Sequence, residues 1–150
     1  MNLAISSEDC SVDEKSHLPL EVHLDLTVRT YDIDFAGVVS NIVYIRWLED
    51  LRLTVLETYY PLEKFLSAGL APTLVETHIK YRKAITIHDR PQARMWISKV
   101  SRLKFVFNAE IRVEGEIVTE AEQVGCLIEM STGRPAPMPP ELREIYHKQV

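Results

Sequence analysis

From Glu21 to Tyr31 polar and apolar positions alternate. Val22, Leu24, Leu26 and Val28 face one way, and Glu21, His23, Asp25, Thr27 and Arg29 face the other. A period of two predicts a half-buried strand. From Asn41 to Tyr59 the period changes. Tyr44, Trp47, Leu48, Leu51, Val55 and Tyr59 recur at steps of three or four, one helical stripe, which Ile45 and Leu56 widen. Arg46, Glu49, Asp50 and Glu57 gather opposite, and no Gly or Pro intervenes before Pro61. A helix apolar around more than half its girth is expected to be largely buried, against a sheet that curls round it.

The segment PLEKFLSAGLAP then predicts a short helical turn ended by Gly69. Four more strand patterns follow. In TLVETHIKYRK the positions Val75, Thr77, Ile79 and Tyr81 alternate; ARMWISKVS is next; in KFVFNAEIRV, Phe105, Phe107, Ala109, Ile111 and Val113 share a face; IVTEAEQVGCLIEM is the longest. Glu114-Gly115-Glu116 reads as a tight hairpin. The tail PMPPELREIYHKQV predicts a short helix led by proline. Consecutive hairpins imply an antiparallel sheet. One long helix on one face of it is an α+β layer of five or six strands.

Composition narrows the function more than the fold. The chain has 150 residues, 46% hydrophobic and 26% charged, which suits one domain with a real core. Its net charge of −5 argues against nucleic acid as a partner, because phosphate binding needs a basic face. No apolar run approaches the ~20 residues of a membrane span. Cys10 and Cys126 have no metal-ligand spacing, and the five histidines form no HExxH pattern, so no metal or other cofactor is expected. The thiols read as reduced, in a cytoplasmic protein. Residues 1 to 18 are acidic, Ser-rich and aperiodic, and are expected to form a flexible tail before a single domain spanning residues 19 to 150.

The informative stretch is VRTYDIDFAGVVSNIVYIRWLED, residues 28 to 50. Asp32 and Asp34 stand just ahead of a Gly-Val-Val turn and the start of the long helix. This stretch resembles the signature of hotdog-fold thioesterases of the 4-hydroxybenzoyl-CoA thioesterase type, Val-Arg-x-x-Asp-x-Asp-x-x-Gly-Val-Val followed by a Tyr- and Trp-bearing helix. STGRPAPMPPEL resembles the end of the family's last strand, and the resemblance extends over residues 20 to 145. It implies a curved antiparallel sheet wrapped round one central helix, pairing of two chains through their sheets, and hydrolysis of an acyl thioester. Plant-type acyl-carrier-protein thioesterases share Asp-x-Asp but carry Asn and His where this chain has Ala36 and Val38. The chain is thus more similar to the type that relies on a single Asp.

Thioester hydrolysis needs a base or nucleophile aimed at the carbonyl carbon and positive potential at the carbonyl oxygen. A carboxylate in the loop ahead of a helix, with the first-turn amides nearby, supplies both. The family match places the catalytic carboxylate at Asp34. Capping the turn is the alternative for that residue and the favoured role for Asp32, bonded to backbone or to Arg29. Gly37, Val39, Asn41 and Tyr44 are expected on the substrate side, although Tyr44 and Trp47 also lie on the core stripe. Glu49 is placed to reach the acyl group or to pair with Arg46. If CoA is the carrier its phosphates need cations, for which Arg102 and Lys104 are the candidates. His23, His78 and His88 read as structural. No His lies in residues 31 to 60, which counts against a hydratase. The expected partners are a small acyl thioester, aromatic or fatty, on CoA or a carrier protein, and one or three further copies of the chain. A non-hydrolytic acyl-thioester-binding or interaction module is the rival.

Overall fold

The computed structural model describes residues 17–150, so Cys10 and nearly all of the expected tail lie outside the described residues. β1 (Val22–Asp25) leads through a 3-10 turn at Thr30–Asp32 to α1 (Asn41–Tyr59) and α2 (Leu62–Ser67). β2 (Leu70–Tyr81), β3 (Gln92–Val100), β4 (Lys104–Val113), β5 (Glu116–Glu129) and the two-residue β6 (Pro135–Ala136) complete an antiparallel sheet, and α3 (Pro140–His147) closes the chain. The strand order is β1-β3-β4-β5-β2, with β6 on β5. This is the six-stranded hotdog arrangement that the sequence implied.

The core lies between α1 and the inner face of the sheet. Val43, Tyr44, Trp47, Leu48, Leu51 and Val55 of α1 are buried against the alternating inner residues Ala93, Met95 and Ile97 of β3 and Phe105, Phe107, Ala109 and Ile111 of β4. The β4–β5 hairpin turns at Glu114 and Gly115, both with positive φ, as a two-residue turn matched to strand twist requires. α2 ends before Gly69 at φ +70°.

Two expectations change. Ile45 does not widen the buried stripe. It is 47% exposed, and with Ile42 and Leu53 it forms a second apolar line on the outside of α1. Val75 does not share a face with Thr77, Ile79 and Tyr81 as an unbroken alternation would have it. Leu74 opposes Gly125 and Glu76 opposes Val124, so Val75 is the extra residue of a bulge and is 56% exposed. β2 pairs with β5 alone among the described residues, which leaves a 12-residue edge strand.

Candidate functional site

The segment from Arg29 to Ser40 is held almost wholly by its own backbone. Asp32 is buried, and its Oδ2 accepts the Arg29 N–H at 2.8 Å, while its carbonyl accepts the Ser40 N–H at 2.9 Å. Asp32 therefore ties the entry of the loop to its exit, as a buried carboxylate must have partners. Ile33 and Val39 form a bridge, the Asp34 N–H donates to the Val38 carbonyl at 2.9 Å, and the Asp34 carbonyl accepts the Gly37 N–H at 3.0 Å. The result is a small closed loop whose tip, Phe35, is fully exposed. Gly37 has φ +78°, and a Cβ there would meet nothing within 4 Å, so the demand is on the backbone angle and not on space.

Asp34 is half-buried at the base of this loop. Its Oδ1 accepts the Ala36 N–H at 2.8 Å, which fixes the carboxylate's direction. No other protein group among the described residues bonds it, which leaves Oδ2 for a ligand or water. Ser40 is the N-cap of α1, and its side chain makes no hydrogen bond to the helix amides. The Val43 N–H donates to the Ser40 carbonyl at 2.9 Å, and the Asn41 and Ile42 N–H groups are left uncapped by any side chain among the described residues, with Asn41 exposed at the helix start.

The other expected residues divide. Val39 is 3% exposed and its N–H donates to the Ile85 carbonyl at 2.8 Å, so it anchors the loop to the chain after β2 and offers no side chain to the surface. Tyr44 is 2% exposed and packs edge-on against Trp47 and Tyr81, with centroids 5.4 and 4.9 Å away. Burial, with Tyr81 beside it, raises its phenol pKa against the opposing pull of the Thr119 hydroxyl and the Ile85 backbone. Thr119 Oγ1 is itself buried and makes no hydrogen bond among the described residues. Glu49 is exposed on α1, roughly 12 Å of helix rise from Asn41.

Arg102 and Lys104 are not brought to Asp34. Val39 fastens the loop to Ile85, just beyond the end of β2, where Tyr81 opposes Thr119 of β5. Lys104 opposes Cys126, which lies seven residues on along β5, about 23 Å by strand rise. The two cations belong to the opposite end of the same sheet. On the loop's own end, a cleft of about 420 Å³ between α1 and the chain following β1 is lined by Arg29, Tyr31, Asp32, Arg46 and Asp50.

One polar chain was not expected from sequence. Arg52 Nη1 donates to Gln123 Oε1 at 2.9 Å, and Gln123 Nε2 donates to Thr77 Oγ1 at 3.1 Å. Its signal was available: Arg52 stands four residues after Leu48 and three before Val55, on the buried stripe, and Gln123 alternates with the inward Thr119 and Ala121.

A family model for the thioesterase-like superfamily matches residues 28–145. No curated protein matches the sequence. Among solved structures, a DHNA-CoA thioesterase from Staphylococcus aureus superposes with TM-score 0.78 at 24% identity, over 85% of this chain and 89% of its own. A 1,4-dihydroxy-2-naphthoyl-CoA thioesterase from Synechocystis gives 0.76 at 21%, over 85% and 96%. A 12:0-ACP thioesterase from Umbellularia californica gives 0.76 at 16%, over 87% of this chain and 54% of its own. At these identities the likeness is one of fold.

Proposed function

The chain belongs to the thioesterase-like superfamily, and from that premise we propose that it hydrolyses an acyl thioester to the free acid and thiol, with Asp34 as the reacting carboxylate. One observation carries the reading. Asp34 is aimed by a backbone-closed loop, has one oxygen engaged by the Ala36 amide and the other bonded by no group among the described residues, and stands just ahead of a helix start with no side-chain cap. Oδ2 either attacks the thioester carbon, giving a mixed anhydride that water then cleaves to the free acid, or takes a proton from an attacking water and passes it to the departing thiolate. In both routes the charge that develops on the carbonyl oxygen is met by the Asn41 and Ile42 amides of α1 as the C–S bond breaks.

The acyl group is aromatic or fatty, carried by CoA or a carrier protein. Because similar folds include thioesterases for dihydroxynaphthoyl-CoA and for a 12:0 acyl carrier protein, a panel should span both kinds. Release of thiol, trapped by a chromogenic disulfide, from at least one thioester supports the proposal. A panel without turnover would leave the rival, a module that binds acyl thioesters without cleaving them.

If CoA is the carrier, its phosphates meet Arg29 and Arg46 at the loop's own end of the sheet, in place of Arg102 and Lys104. Arg46→Glu is then expected to raise KM several-fold with little change in kcat, the mark of lost uniform binding, and the effect should shrink with added salt. Steady-state kinetics at two ionic strengths check this.

The working unit is proposed to be a dimer or tetramer. Among the described residues the long β2 edge has no second strand partner, and Phe35 of the loop and Ile42 and Ile45 of α1 are exposed. An edge of that length invites pairing. Light scattering at micromolar concentration should report at least twice the chain mass; a monodisperse monomer would refute it. No helix among the described residues is long and apolar enough to cross a membrane, and we place the protein in the cytoplasm.

A further inference from the structure

Beneath the second half of α1 lies a cavity of about 110 Å³. Val55 and Leu56 of α1, Phe65 of α2 and Phe105 and Phe107 of β4 give it apolar walls, and Arg52 is the one charged residue among those described that reaches it. That arginine is half-buried and is held toward the sheet by Gln123, itself 1% exposed, which is braced in turn by Thr77. Its only bonded partner among the described residues is therefore a neutral amide. The ion pairs among those residues all involve other cations. Glu49, one turn back, favours the charge, but burial outweighs it and draws the Arg52 pKa below the usual guanidinium value. A guanidinium has five N–H donors and stays protonated, so most of its donors have no acceptor among the described residues. An unpaired cation at an apolar cavity is costly unless something anionic joins it, and a carboxylate can do so with two parallel bonds.

We propose that this cavity binds a short apolar carboxylate, its hydrocarbon body among the apolar walls and its carboxylate on Arg52. An apolar cavity of ~150 Å³ takes up benzene, so this one suits a body of about four to six carbons. The site is not where Asp34 works. Arg52 lies eleven residues beyond Asn41, roughly 16 Å along the helix. The same chemistry has two sources: a free carboxylic acid, or the far end of an acyl group with a terminal carboxylate. The second rests on the proposed thioesterase reading; binding at the cavity does not.

Calorimetric titration of the full chain with hexanoate and with 1-hexanol tests the site without any turnover. Hexanoate should saturate one site per chain with a dissociation constant on the order of millimolar or below, and hexanol should bind at least about tenfold more weakly. Arg52→Met should weaken hexanoate by about tenfold or more. Thr73→Phe, which fills the cavity from β2, should abolish binding while leaving the Arg52–Gln123–Thr77 chain intact, so the test survives if Arg52→Met does not fold. Failure of hexanoate to saturate, equal binding of hexanol, or indifference to Thr73→Phe would overturn the proposal. Once binding is established, competition between hexanoate and a thioester substrate assigns the cavity to the acyl tail. Binding that leaves KM unchanged assigns it to a free acid.

Discussion

Asp34→Asn is expected to lower kcat by about 10² or more, the scale of losing a positioned acid–base group, while the protein remains folded. The amide keeps an oxygen to accept the Ala36 N–H, so the bond that aims the side chain survives. The loop is closed by backbone bonds from Asp34, Gly37, Val39 and Ser40, none of which needs the charge. What is lost is the nucleophile or base. Asp32→Asn should behave in the opposite way. Asp32 is buried and accepts the Arg29 N–H, and replacing a charged acceptor with a neutral one should cost about 1 kcal/mol of stability. Turnover per folded molecule should change little. Measuring kcat and the denaturation midpoint for both variants separates catalysis from turn capping. A folded Asp34→Asn protein that hydrolyses its thioester at nearly the parent rate would sink the mechanism.

The long helix, the antiparallel hairpins and the turn at Glu114–Gly115 were legible in sequence because each rests on a local rule, periodicity or a positive φ. The backbone bond expected of Asp32 is present, to the Arg29 N–H, and Asp34 makes the turn-capping bond that was its alternative role, to the Ala36 N–H; the two carboxylates differ in burial, Asp32 being buried and Asp34 half-buried. What escaped depends on relations that periodicity does not encode. Ile42, Ile45 and Leu53 are apolar but exposed, because hydropathy marks a surface to be covered without saying by what. The bulge at Val75 shifts a register by one residue, which no alternation count detects. That Arg102 and Lys104 lie at the end of the sheet away from Asp34 was not legible, because strand patterns do not say which end a residue occupies; the register does. A charge on a helix ordinarily faces solvent, whereas Arg52 stands on the buried stripe and bonds Gln123 across to the sheet.

Gly125→Ala should destabilise the fold by about 1–3 kcal/mol, and Gly125→Val by more, through overpacking of the core. Gly125 stands directly opposite Phe105 in the β4–β5 ladder. A Cβ added there would lie 2.3 Å from Phe105 Cε2 and 2.5 Å from Cζ, closer than any real contact. The backbone is no obstacle, since Gly125 is not among the glycines with positive φ, so the penalty is purely steric. The ring must move, but it is 7% exposed and packed edge-on against Phe107 at 5.2 Å. The space it can enter is the 110 Å³ cavity that Phe105 already lines. Two consequences follow from that displacement. Urea denaturation should show a lower midpoint with an unchanged slope, and combining Gly125→Ala with Phe105→Leu should recover part of the loss, because the two sites are in contact and do not add. Hexanoate binding should weaken in Gly125→Ala even though Arg52 is untouched, since the ring then takes up the room for the ligand's hydrocarbon body. A Gly125→Ala protein with the parent's midpoint would show that the ring yields freely, and that the cavity wall at Phe105 is softer than its packing indicates.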